Sequence, residues 1–268
     1  MTTWGASFRE DYKKVPVIRS IITAPVLMLT ATSTDGMVGD IIHALHLSQS
    51  AVEMVSVLPN RPNIHLQIQR ATDDMNEELG WLLKHLKDGG KDAAKAIVYC
   101  RTIDSVTCVY GWLMSQLGTP SSQPRPVEMF HGKTDAETQS RIVSSFTKAE
   151  TCIRCVVATV AFGMGVHVHD IRYVVHWGPS TDILSYWQEV GRCARDGEAD
   201  KALMYVYHRS LNPRFIKKDM VDLANGSTAT CIRKAILQHL FVKGMSATEL
   251  TVACGLSHGC CGTCDIVT

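Results

Sequence analysis

The sequence has no excess of either charge, with 27 Lys and Arg against 26 Asp and Glu in 268 residues. A basic field over the whole surface is excluded, so any contact with a polyanion must come from local patches. No apolar run approaches the roughly 18 residues that suggest a membrane span. The opening MTTWGASFREDYKK is polar and carries both charge signs, unlike a secretory signal with its basic start and apolar middle. These absences predict a soluble, intracellular protein with no membrane partner. There is also no internal repeat and no low-complexity tract, which leaves the globular class.

What the sequence does have is apolar material, 46% of its residues, enough for one large domain plus an appendage or for two modest domains. It comes in short, nearly continuous runs: APVLMLT, KAIVYC, RPVEMF, IRCVVAT, IRYVVH and KALMYVY. Strands of that kind are covered on both faces, as in a parallel sheet. Helical patterns lie between them. From Asp104, the residues Val106, Val109, Tyr110, Leu113 and Leu117 recur at helical spacing, and Gly118 supplies a stop. Thr134 and Glu137 have capping-box spacing before a helix that turns Ile142, Val143 and Phe146 to one side. The alternation predicts an α/β fold with right-handed crossovers. Before it lie a strand, Pro25 to Thr30, a helix, Gly36 to Leu47, and a loop containing NRPNI. The alternation fades after about residue 209, leaving an amphipathic helix around CIRKAILQHLF and a Gly- and Cys-rich end.

In SYWQEVGRCARDG, Gln188, Arg192 and Arg195 stand at i, i+4 and i+7, which on a helix is one face. An amide and two guanidiniums side by side suit anionic oxygens better than a core. The plainer alternative is a solvated face with an Arg–Glu pair through Glu189 or Asp196. Just upstream, ATVAFGMGVHVHDIRYVVH delivers Ala158 and Thr159 from a buried strand to a loop punctuated by Gly163 and Gly165, where backbone can approach a ligand closely. Most of the ten cysteines sit singly in apolar segments and read as reduced core thiols. The end differs: Cys261 and Cys264 form a C-x-x-C, with Cys260 adjacent, Cys254 and His258 just before, and Cys231 at a helix start. That spacing can close a tetrahedral Zn²⁺ site, the alternative being a redox-labile or incidental cluster.

The ordered pair of a strand–AT–x–AFGMG loop and a Q-x-x-G-R-x-x-R-D-G segment resembles motifs V and VI of superfamily 2 helicases. The remaining motifs follow in helicase order. LTAT (Leu29 to Thr32) looks like motif III and IVYCRT (Ile97 to Thr102) like motif IV. WGASFREDY (Trp4 to Tyr12) resembles the aromatic-rich loop of RecQ enzymes, and NRPNI (Asn60 to Ile64) fits the RecQ pattern where the second lobe begins. TAT and QEVGR favour RecQ over the DEAD-box RNA helicases, which usually read SAT and H-R-x-G-R.

The resemblance implies a RecA-like parallel sheet flanked by helices as a second helicase lobe (50–209), after a remnant of a first lobe (1–49) and before a small helical zinc-binding module (210–268). It implies a 3′-5′ DNA helicase driven by ATP and Mg²⁺, acting on single-stranded, duplex or junction DNA in recombination and repair, in the nucleus first and the cytoplasm second. By the same resemblance Arg195 is the arginine finger, Arg192 its partner at the nucleotide cleft and Gln188 a coupler of the two lobes. Gly163, Gly165 and Asp196 border the ATP cleft. Trp4, Phe8, Arg9, Arg101 and Thr159 meet DNA, although Trp4 and Phe8 equally suit packing. Cys231, Cys254, Cys261 and Cys264 hold a structural Zn²⁺, with Cys260 or His258 open as replacements for Cys254. Two departures stand out. Cys193 and Ala194 replace the usual Ala-Gly pair between the motif VI arginines. The sequence also contains no G-x-x-x-x-G-K-[ST] loop and no DEAH-type box, so this chain is expected not to hydrolyse ATP alone. A non-enzymatic DNA- or partner-binding fragment is the competing expectation.

Overall fold

The computed structural model describes residues 14–22, 24–118, 125–163, 167–226, 231–253 and 260–266. Its strands are β1 (Ile64–Arg70), β2 (Lys95–Cys100), β3 (Val127–Phe130), β4 (Cys155–Ala158), β5 (Ile171–Trp177) and β6 (Asp200–Val206). They form one six-stranded sheet in the order β1-β6-β5-β2-β4-β3, every neighbouring pair parallel. The helices are α1 (Val15–Ile21), α2 (Asp35–Ala44), α3 (Met75–Glu78), α4 (Gly80–Gly89), α5 (Ile103–Leu117), α6 (Ala136–Phe146), α7 (Ile183–Val190), α8 (Lys218–Ala224), α9 (Ile232–His239), α10 (Ala247–Val252) and α11 (Gly262–Ile266).

β2 and β4 are buried along their whole length, which is why their sequences show no polar alternation. Alternate side chains feed two cores. Ala96, Val98, Val157 and Val175 pack with Leu82 and Leu86 of α4 and Val109 and Leu113 of α5. Ile97, Tyr99, Val156 and Val174 pack with Phe146 of α6, Tyr186 and Trp187 of α7, Met220 of α8 and Ile236 of α9. Each such aliphatic side chain contributes about 1.5–3 kcal/mol on burial. The second core runs without a break into α8 and α9.

Local signals explain the helix ends. Thr102 Oγ1 accepts from Ser105 N at 3.1 Å to start α5, and Gly118, at φ 76°, ends it. α6 is capped by Asp135, whose carboxylate accepts from Thr138 N at 2.8 Å. Thr134, the residue expected to cap, instead accepts from His131 N at 3.1 Å. The segment Pro25 to Thr30, expected to be a strand, joins no ladder among the described residues. Without a neighbour to take its N–H and C=O groups, an apolar extended run cannot become a strand.

Candidate active site

α7 begins where the Asp182 carboxylate accepts from Ser185 N at 2.8 Å, and it ends at Val190 with Gly191 as its C-cap. Gln188 is therefore helical, but Arg192 and Arg195 are not at further positions of the same helix. They ride on the turn that follows it, a correction to the one-face reading. The turn is sharp because Ala194 sits at φ 57°, a left-handed conformation costing an L-residue roughly 1–2 kcal/mol. Arg61 holds it. Its Nη1 donates to Gly191 O at 3.3 Å and its Nη2 to Cys193 O at 2.9 Å and Ala194 O at 2.8 Å. Asn63 Nδ2 donates to Ala194 O and Glu198 O, both at 3.0 Å. A cation thus satisfies carbonyls at the negative end of the helix.

Arg192 Nη2 donates to Gly163 O, and a Cβ on Gly163 would lie 3.1 Å from that nitrogen. The glycine lets a guanidinium rest directly on the backbone. Arg195 Nε donates to Gly191 O at 3.2 Å. Burial lowers the pKa of Arg195 from its ordinary value, and repulsion from Arg192 and Arg61 adds to the shift, although a guanidinium stays charged throughout the accessible pH range. The group opens on a depression of about 600 Å³ lined by Arg61, Pro62, Asn63, His167, Ala194, Arg195 and Gly197. The acids that an Arg–Glu pair would have used are committed elsewhere. Glu189 is bound by His176 at 2.8 Å and Ser180 at 2.5 Å, and Asp196 by Arg172 at 2.7 Å. Clustered guanidiniums beside an open depression favour a multiply charged anion such as a polyphosphate. From the other side of α7, Gln188 Nε2 donates to Thr32 Oγ1 at 2.9 Å, joining LTAT to this helix.

A second cluster lies in the tail. The sulfurs of Cys231, Cys260, Cys261 and Cys264 are all within 4.8 Å of one another. Cys231 is 3.5 Å from Cys260 and 3.7 Å from Cys261, which is 3.5 Å from Cys264. Four thiolates bonded to one zinc at about 2.3 Å would lie about 3.8 Å apart, so the donor set fits a tetrahedral metal. Hydrogen bonds from Cys231 and Cys260 hold the Cys261 thiol well below the ordinary thiol range, and burial raises Cys264 to about 11. The cluster is stitched to the sheet edge: Leu66 N of β1 donates to Cys260 O at 3.3 Å, and His65 Nε2 lies 2.8 Å from Asp265 of α11.

Comparison with known proteins bears on the family and on the fold. The family profile described as the helicase conserved C-terminal domain matches residues 77–197, from α3 to the turn bearing the arginines. The probable ATP-dependent DNA helicase RecS of Bacillus subtilis is 31% identical over 76% of this chain. The mouse bifunctional 3′-5′ exonuclease/ATP-dependent helicase WRN is 26% identical over 98% of it. The chain belongs to the RecQ family. It spans only 38% of the length of RecS and 19% of that of WRN. In fold it is similar to S. cerevisiae Dbp5 bound to RNA and ADP BeF3, with a TM-score of 0.61 over 93% of this chain and 60% of that one at 14% identity. The sheet is therefore a RecA-like helicase lobe.

Within this RecQ chain the expected site residues separate into groups. Arg192 rests on Gly163 O with Arg195 close enough to feel its charge, and Gln188 meets Thr32 of LTAT. Asp196 is drawn to Arg172, whose hydrogen bond lowers the carboxyl pKa. Arg101 is exposed after β2; it donates to Ser210 O at 3.2 Å and lies over the Phe215 ring at 5.3 Å. Thr159 is buried, with its hydroxyl 3.4 Å from Ala161 N at the start of the loop after β4. Trp4, Phe8, Arg9, Gly165, Cys254 and His258 lie outside the described residues; Cys260 completes the described cysteine cluster. Sequence reasoning did not assign Arg61, Asn63 or Arg233 to the site. Arg61 and Asn63 carried a signal in the NRPNI segment, whereas Arg233 was hidden inside an ordinary amphipathic helix.

Proposed function

We propose that this chain supplies the second motor lobe of a RecQ-type, ATP-dependent 3′-5′ DNA helicase that serves recombination and repair in the nucleus. Residues 50–209 form that lobe, 1–49 belong to the first lobe and 210–268 form a zinc-binding module. The observation that carries this reading is a turn clasped by Arg61 that sets Arg192 on Gly163 O and, close beside it, Arg195 at an open depression. In phosphoryl transfer, negative charge spreads over the γ-phosphate oxygens, and guanidiniums fixed in advance stabilise it without reorganising. Arg195 and Arg192 fill that role, and the Gln188–Thr32 hydrogen bond couples α7 to motif III. ATP would bring the reacting phosphates and Mg²⁺ would neutralise them, but their phosphate loop and acid box must come from a first lobe, because this sequence has neither. Alone, the chain hydrolyses no ATP.

The exposure of Leu27 (83%), Leu29 (85%) and Val55 (88%) supports such a partner lobe. The cysteine cluster supports a structural Zn²⁺ held by Cys231, Cys260, Cys261 and Cys264, since four protein ligands leave no open position. Arg101, exposed after β2, suits a DNA phosphate, and Trp4, Phe8 and Arg9 suit stacking and charge contacts with a single strand. The test is a fusion of a RecQ first lobe to the amino terminus of the full chain. ATP hydrolysis appears in the fusion, rises with single-stranded DNA more than with RNA at matched salt, and is absent from the chain alone. A folded fusion with no DNA-stimulated hydrolysis overturns the proposal.

A further inference from the structure

The loop from Pro59 to Asn63 is gripped from two sides. On one side Trp187 Nε1 of α7 donates to Pro59 O at 2.9 Å, and Arg61 and Asn63 reach back to the carbonyls of the arginine turn. On the other side stands Arg233 of α9, only 1% exposed. Its guanidinium donates to Arg61 O and Ile64 O and, at 3.3 Å each, to Asn60 Oδ1 and Cys260 O, while its Nε lies 3.2 Å from Cys260 Sγ. A charge so deeply buried persists only with its donors satisfied. Here the acceptors belong to the Asn60–Ile64 segment and to the cysteine cluster.

Arg61 is not arranged as an anion ligand. Its Nη1 and Nη2 are engaged by three backbone carbonyls of the segment carrying Arg192 and Arg195. Its planar fork spans acceptors that a lysine ammonium cannot span together. We propose that Arg61 is a positioning residue for Arg192 and Arg195, and that Arg233 fixes Arg61 relative to the cysteine cluster. A contact relay then runs from the cysteines through Arg233 and Arg61 to the anion-facing arginines. This rests on the proposed role of those arginines, and it adds a reason for the tail to pack where it does.

The experiment uses the full chain labelled with ¹⁵N-arginine, inorganic triphosphate as the probe, and the variants Arg61→Lys, Arg233→Lys and Arg195→Ala. Arg61→Lys keeps the net charge, yet it is expected to weaken triphosphate binding about tenfold and to shift the Nε–H resonances of Arg192 and Arg195. Arg233→Lys shifts the same resonances in the same direction. Wild-type affinity and unmoved resonances in Arg61→Lys overturn the relay. Unaltered binding in Arg195→Ala instead overturns the arginine site, and the Arg61→Lys resonances then still decide the relay. Should Arg233→Lys fail to fold, Arg61→Lys at its half-exposed position tests the positioning role, and Arg233→Gln tests the anchor through the same resonances.

Discussion

Gly163 and Arg192 are 29 residues apart in sequence, and their contact fixes where the Arg192 guanidinium sits beside Arg195. A methyl at position 163 would meet the far end of a flexible side chain at 3.1 Å, so the side chain would yield and the fold would not. Gly163→Ala is thus expected to leave the melting temperature nearly unchanged while lowering ATP hydrolysis in the two-lobe fusion by about tenfold or more. An unchanged rate would show that the Gly163 contact does not set the geometry of Arg192. Ala194 illustrates the opposite case, a methyl in the left-handed region where glycine would sit without strain. Its side chain is buried, and Arg61 and Asn63 engage its carbonyl. None of these pairings was legible in sequence, because each joins segments distant along the chain. What was legible was the choice of residue types: arginine, glutamine and glycine in a fixed order.

At the scale of elements, the interior strands were readable because burial on both faces removes polar alternation, as in KAIVYC and IRCVVAT. β1 escaped that reading because buried Ile64 and Leu66 alternate with the polar, partly exposed His65 and Gln67, so its signal was period two rather than a run. Pro25 to Thr30 misled in the opposite way: its residues are apolar enough for a strand, but Leu27 and Leu29 are exposed. α7 ended before the arginines because Gly191 and the Arg61 clasp favour a turn over another helical turn. The tail brought Cys231, Cys260, Cys261 and Cys264 together through α9, α11 and the β1 edge, whereas the sequence reading had named Cys254 as the second ligand, with Cys260 or His258 as replacements. Purified protein is expected to carry one zinc per chain, and chelation should make the region from Cys231 onward protease-sensitive, since such metal binding is coupled to folding. Absence of zinc together with a protease-resistant tail after chelation would contradict the metal assignment.

At the scale of the molecule, an even charge balance leaves the local arginine group to carry the electrostatics of the site. Second-lobe arginines can act on ATP only when another lobe presents the nucleotide, which agrees with the lack of a phosphate loop and with the exposed apolar residues around Leu27 and Val55. The RecA-like fold supplies the frame, the Arg61 clasp holds the turn that carries the arginines, and the Gln188–Thr32 bond ties α7 to LTAT. The most direct test is single-turnover ATP hydrolysis by the two-lobe fusion carrying Arg195→Ala. The predicted result is a fall of about 10³-fold or more in the rate, with ADP affinity held within a few-fold; hydrolysis at the unsubstituted rate would contradict the role assigned to this arginine.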